Sequence, residues 1–138
     1  MNFSNPDAAE ITALLKRIKT IAVVGLSPKP DRPSFGVSQA MQRFGYRIVP
    51  VRPALDSALG EKAYARLADI PFAVDLVNVF RESAAIPGVV EEVLAIHAPA
   101  IWIQEGIVHD EAAEKARAAG LTVVMDRCIY KDYMRYMP

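Results

Sequence analysis

The stretch TIAVVGLSPKPDRPSFG, residues 20–36, decides the fold. Its first six residues are almost wholly apolar and end in glycine, the pattern of a strand buried on both faces of a parallel sheet. The loop that follows carries Pro28, Pro30 and Pro33 where nucleotide-binding turns carry glycines. Ser34 then offers a cap for a helix whose apolar face is Val37, Ala40, Met41 and Phe44, with Gly45 as its stop.

Outward from that stretch the same alternation recurs. Asn5 before Pro6 reads as an N-cap with proline at the first helical position, and Ile11, Leu14, Leu15 and Ile18 follow at helical spacing. YRIVPV (46–51) reads as a second strand, VDLVNVF (74–80) as a third, AIWIQ (100–104) as a fourth and LTVVM (121–125) as a fifth. Between them lie a helix through Ser83 and Pro87, with Val90, Val93, Leu94 and His97 on one face, and a helix from Asp110 to Ala119 stopped by Gly120. Strands alternating with helices imply right-handed crossovers, hence an α/β, Rossmann-like three-layer sandwich with a mostly parallel five-stranded sheet. The expected strand order is 3-2-1-4-5.

With 138 residues the chain reads as a single domain over 1–138, long enough to bury its own core. Sixteen Lys and Arg balance sixteen Asp and Glu, so the net charge argues for neither a nucleic-acid nor a membrane partner, and any anion site is local. The one cysteine, Cys128, excludes an internal disulfide and suits a reducing cytoplasm. No signal peptide is evident at the start, and no apolar run reaches the roughly 20 residues that span a bilayer.

Ligands of such sheets sit beyond the carboxyl ends of the strands, where the strand order reverses. The turns in question are 27–34, 51–53, 80–83 and 104–107. GxGxxG is absent, Gly25 alone standing for its first two glycines, and Arg52 occupies the position where an NAD enzyme carries an acid. A guanidinium there suits a phosphorylated ribose, as in coenzyme A or NADP. Ser27, Lys29, Arg32 and the N–H groups of the following helix supply a diphosphate site, and the prolines stiffen the loop. The competing reading of the same residues is a solvated, proline-rich turn.

The runs IAVVGLSPKPDRPSFGV, VPVRP, GEKAY, VDLVNVFR, IWIQEGI and GLTVVMDRC, together covering about residues 20–128, resemble the stand-alone CoA-binding protein family. The fold of that family is similar to the N-terminal CoA-binding domain of the succinyl-CoA synthetase alpha subunit. The resemblance implies coenzyme A as the ligand. It also implies contacts from Ser27 and Lys29 to the phosphates, and from Val51 and Pro53 on the adenine side, with Arg52 standing between them where the family often has asparagine. Phe80, Arg81 and Ser83 match the third turn, and Gln104, Glu105, Gly106 and Ile107 the fourth. The synthetase's second domain, with its phosphorylated histidine, has no counterpart here, so binding carries over and ligase activity does not.

The expected function is therefore non-catalytic binding of coenzyme A or an acyl-CoA, and a homodimer is possible. The alternatives are an NADP-binding reductase and an interaction module with a vestigial pocket. His97 reads as a helix-end residue and His109 as a candidate general base without a nucleophile or metal partner. Cys128 reads as a small buried hydrophobe, with Asp126 and Arg127 pairing locally. The tail YKDYMRYMP reads as packing against a sheet edge or a second subunit.

Overall fold

A computed structural model describes residues 3–138. In chain order the elements are α1 (Ala8–Arg17), β1 (Thr20–Val24), α2 (Pro33–Arg43), β2 (Arg47–Val51), β3 (Ser57–Ala58), β4 (Glu61–Lys62), β5 (Leu76–Val79), α3 (Ile86–Ala95), β6 (Ala100–Ile103), α4 (Asp110–Ala118), β7 (Thr122–Met125) and α5 (Ile129–Tyr136). Five strands form a parallel sheet in the order β2-β1-β5-β6-β7, and β3 and β4 make a separate small hairpin.

The α/β class and the five parallel strands agree with the sequence pattern. The order does not: counted along the five long strands it is 2-1-3-4-5, not 3-2-1-4-5. The reason is local. The outer edge of β2 is occupied by its own outgoing connection, with Tyr64 N donating to Pro50 O and Arg52 N to Tyr64 O, both at 2.9 Å. Pro50 has no N–H to offer a further strand there, as befits an edge position. The third long strand, β5, consequently pairs with the free side of β1, Ile21 against Leu76 through Val24 against Val79.

Alternate residues of the central strands feed two cores. Ala22, Val24, Val77, Val79, Ile101 and Ile103 face α3 and α4, while Ile21, Val23, Leu76, Trp102 and Val124 face α1, α2 and α5. Apolar residues on both faces are what a parallel sheet covered by helices on either side requires. The buried Trp102 donates its indole N–H to Arg127 O at 2.7 Å, and Asp75 accepts from Lys19 N and Thr20 N at 2.9 Å, which ties the start of β1 to β5.

Helix ends depart from expectation in two places. Asp7, not Asn5, caps α1, accepting from Glu10 N at 2.9 Å. Asn5 instead exchanges two 2.8 Å hydrogen bonds with the backbone of Met125 and so continues the exposed side of β7. Gly45 ends α2 as expected, at φ +110, with Tyr46 N donating back to Met41 O. The C-terminal segment is a helix rather than a tail: Tyr133 stacks on Phe44 at 3.9 Å, and Arg127 grips the buried Asp132 through two bonds of 2.6 and 2.8 Å. Among the described residues no helix is long and apolar enough to cross a membrane.

Tyr46 closes the layer of α1, α2 and α5. Its hydroxyl donates to Leu15 O at 2.6 Å, satisfying a carbonyl in the last turn of α1, and burial is the main cause that pushes its pKa up to about 12, with Tyr133 adding to it. The unfolded chain ionises this phenol near pH 10. Ionisation of this phenol therefore leaves stability untouched well below pH 10 and erodes it as pH climbs from about 10 through about 12, where the unfolded chain gives up the proton before the folded one does. Tyr46→Phe should cost about 1 kcal/mol at neutral pH. In urea titrations the variant should lose less stability than wild type between about pH 9 and 11.5; equal losses would contradict this role.

Candidate functional site

The observed strand order puts the topological switch between β1 and β5, so the turns after these two strands meet at the carboxyl edge of the sheet. Gly25 makes that meeting possible. It sits at φ +87, donates its N–H to Val51 O at 2.9 Å, and has no side chain where an added Cβ would stand 2.3 Å from Phe80 O. Phe80 N in turn donates to Val24 O at 2.9 Å.

Two adjoining cavities open on this ridge. The first, of about 510 Å³, is lined by Gly25, Ser27, Lys29, Arg32, Pro33, Ser34, Arg52, Phe80, Arg81, Glu82 and Ile107. The second, of about 470 Å³, lies toward β2 and shares Gly25, Arg52, Phe80 and Arg81 with the first while adding Val24, Val51, Pro53, Ala65, Arg66 and Glu92. Four cations face one carboxylate in the first cavity. Among the described residues no carboxylate pairs with Lys29, Arg32 or Arg52.

The proline-rich loop is folded on itself. Ser27 N donates to Ser34 Oγ at 2.9 Å, and Lys29 N donates to Ser27 Oγ at 3.2 Å, so the expected cap residue Ser34 is a clasp for the loop instead. The N-cap of α2 is Arg32, with Pro33 at the first helical position and no side chain bonded to the helix end. An uncapped N-terminus carries the positive end of the helix dipole and faces an otherwise cationic cavity. Arg81 is bonded to Glu82 at 3.2 and 3.4 Å; this bond is the leading cause that lowers the Glu82 carboxyl pKa, keeping it ionised beside the cavity.

Other expected site residues take structural posts. Val51 is buried beneath the second cavity, and its carbonyl holds Gly25. Ser83 Oγ accepts from Val108 N at 3.3 Å, bridging the turns after β5 and β6. Gln104 is buried and accepts from Ile129 N at 3.1 Å, anchoring α5, while Glu105 pairs with Lys131 at 2.8 Å on the outside. Gly106 N donates to Asp126 Oδ1 at 2.7 Å, leaving Ile107 as the residue of that turn that lines the cavity. His109 caps α4, its Nδ1 accepting from Ala112 N at 3.1 Å, which withdraws that nitrogen from acid–base work. Sequence reasoning named the turns that hold Pro33 and Glu82 and missed Glu92, Ala65 and Arg66. The last two reach the second cavity only because the segment after the β3–β4 hairpin docks on β2, and local sequence carries no signal for that.

Together these features define a doubly wound α/β protein with a cationic cleft at its switch point. The chain belongs to a CoA binding domain family, whose model matches residues 19–134. It is 53% identical over 125 residues to the protein YneT of Bacillus subtilis (strain 168), covering 91% of this chain and 93% of that protein. The structure of cell-free ID.343 from Thermus thermophilus is similar at 38% identity and a TM-score of 0.90, covering 96% of this chain and 100% of the other. A stretch of 77 residues, 54% of this chain, is 34% identical to 11% of the ADP-forming 4-hydroxybutyrate--CoA ligase of Nitrosopumilus maritimus (strain SCM1).

Gly25→Ala should destabilise the protein by about 2–4 kcal/mol, because a left-handed φ and a backbone clash combine at one position that cannot relax without separating β1 from β5. Denaturant unfolding measures it, and a loss under about 1 kcal/mol would show that the two turns are not locked together.

Proposed function

We propose that the cleft binds coenzyme A or an acyl-CoA and that the chain carries out no chemistry on it. The observation that carries this reading is the convergence of Lys29, Arg32, Arg52 and Arg81 with the uncapped start of α2 at one switch point. Such a site is built for several phosphates in an otherwise charge-balanced chain. Membership of a CoA binding domain family supports the identity of the ligand. So does likeness to a fraction of a CoA ligase, a protein of which this chain matches a small part.

The order of the strands gives the ligand a direction. Adenosine fits the second cavity over β2, the diphosphate lies over β1 and β5 against Ser27, Lys29 and α2, and the rest of the molecule leaves over β6 past Ile107. Arg52, common to both cavities, is the favoured partner of the 3′-phosphate, with Arg66 beside it. His109 caps α4 through Nδ1 and lines neither cavity of the cleft.

Lys29→Ala should weaken coenzyme A binding roughly tenfold or more in calorimetric titration while shifting stability by less than about 0.5 kcal/mol, since the side chain is exposed and bonded to nothing structural. Unchanged affinity would return the loop to a solvated turn. Dephospho-CoA, lacking the 3′-phosphate, should bind roughly one to two decades more weakly than coenzyme A, the worth of a charge-assisted bond of about 1.5–3 kcal/mol. Equal affinities would remove Arg52 from that role, and tight NADP binding with no response to coenzyme A would favour a reductase.

A further inference from the structure

A third cavity, of about 420 Å³, lies between α3 and α4 and belongs to neither of the two described above. Its floor is Val90 and Ala112, both buried, and its near end is Pro87, Gly88 and His109. The far end is closed by the ion pair of Lys115 with Glu91. The groove starts where the cleft stops: Ile107 lines the cleft and His109 lines the groove, two residues apart in one turn. Val108 between them is 46% exposed, an apolar side chain left in water at the junction.

Gly88 lines the groove without a side chain to fill it. It stands within the first turn of α3 at an ordinary helical φ, and a Cβ built on it meets nothing within 4 Å. Neither backbone conformation nor packing demands glycine there, and glycine weakens a helix. What the missing side chain provides is space.

We infer that this groove receives the acyl chain of a CoA thioester, so that the ligand of this protein is an acyl-CoA with an apolar chain of short to medium length. The inference rests on the cleft being the coenzyme A site. With adenosine over β2 and the diphosphate over β1 and β5, the thiol end is directed over β6 toward the groove between the helices flanking it, whose floor is apolar and whose rim carries Glu111. From His109 to Lys115 the groove follows six residues of α4, roughly 9 Å at 1.5 Å per residue. An extended chain advances about 1.25 Å per bond, so about seven bonds fill it. The Glu91–Lys115 pair at the end favours an apolar terminus over a carboxylate, because the lysine is already neutralised.

The experiment is a calorimetric titration with free coenzyme A and with acetyl-, butyryl-, hexanoyl-, octanoyl- and dodecanoyl-CoA, on wild type and on Gly88→Leu. In wild type, affinity should rise roughly threefold per methylene and level off near octanoyl. Gly88→Leu should abolish that rise and leave free coenzyme A binding unchanged, and in wild type hexanoyl-CoA but not free coenzyme A should shift the methyl resonances of Val90 and Ala112. No binding of coenzyme A at all would overturn the reading of the cleft, and this inference with it. Binding of coenzyme A with an affinity flat across the series would overturn the groove alone. A chain-length gain that survives Gly88→Leu, or that leaves the Val90 and Ala112 methyls unmoved, would place the chain elsewhere and overturn it equally.

Discussion

The closest constraint in the molecule is the approach of the Phe80 carbonyl to Gly25, where any side chain would collide with backbone. This contact holds the carboxyl ends of β1 and β5 side by side, and the same glycine reaches across to Val51 of β2 with its N–H. Three turns are thereby gathered around one residue without a Cβ. The cleft follows from it: Ser27 to Ser34 rise on one side of the ridge, Arg52 and Pro53 on another, and Phe80 to Glu82 form the wall between the two cavities. A strand order with β5 outside β2 would have sent Phe80 and Arg81 to a distant edge.

That order is where sequence reasoning failed, and the reason is instructive. Strand identity was legible because Gly25 closes the apolar run of β1 while Gly45 and Gly120 end the helices that precede β2 and β7, and the burial of both sheet faces follows from composition. Order depends on edges, which are contacts between segments far apart in the chain. One signal was present: Pro50 inside the second strand marks an edge, since its missing N–H forbids a further neighbour on that side. The docking of Tyr64 on the same edge had no local signature, because a bridge of one residue leaves no periodicity to read.

Within the site, residues whose chemistry is incompatible with a core were the legible ones. Lys29, Arg32, Arg52 and Arg81 are long cations at the tips of buried strands, with no place to go but the surface at the switch point. Ser83, Gln104 and Ser34 were harder, since a short polar side chain in a turn serves a neighbouring backbone as readily as a ligand. Each of the three proved to satisfy an N–H of another segment, respectively Val108, Ile129 and Ser27. By accepting these bonds they splice together the turns that carry the cations and leave their own donor hydrogens unspent.

This division of labour bears on how the cleft can bind at all. Exposed lysine and arginine side chains are flexible, and each loses rotamer entropy when a ligand fixes it. The backbone beneath them contributes little further cost, because the prolines restrict the loop and the Ser27–Ser34 and Ser27–Lys29 bonds close it before any ligand arrives. The mutual repulsion of the four cations, offset only by Glu82, is likewise built into the cavity and would be relieved by a polyanion there. A loop of glycines at the same place would have left the backbone to be ordered on binding as well. The opening stretch of the sequence thus exchanges the close backbone approach of glycine-rich turns for rigidity, and presents side chains to the cleft instead.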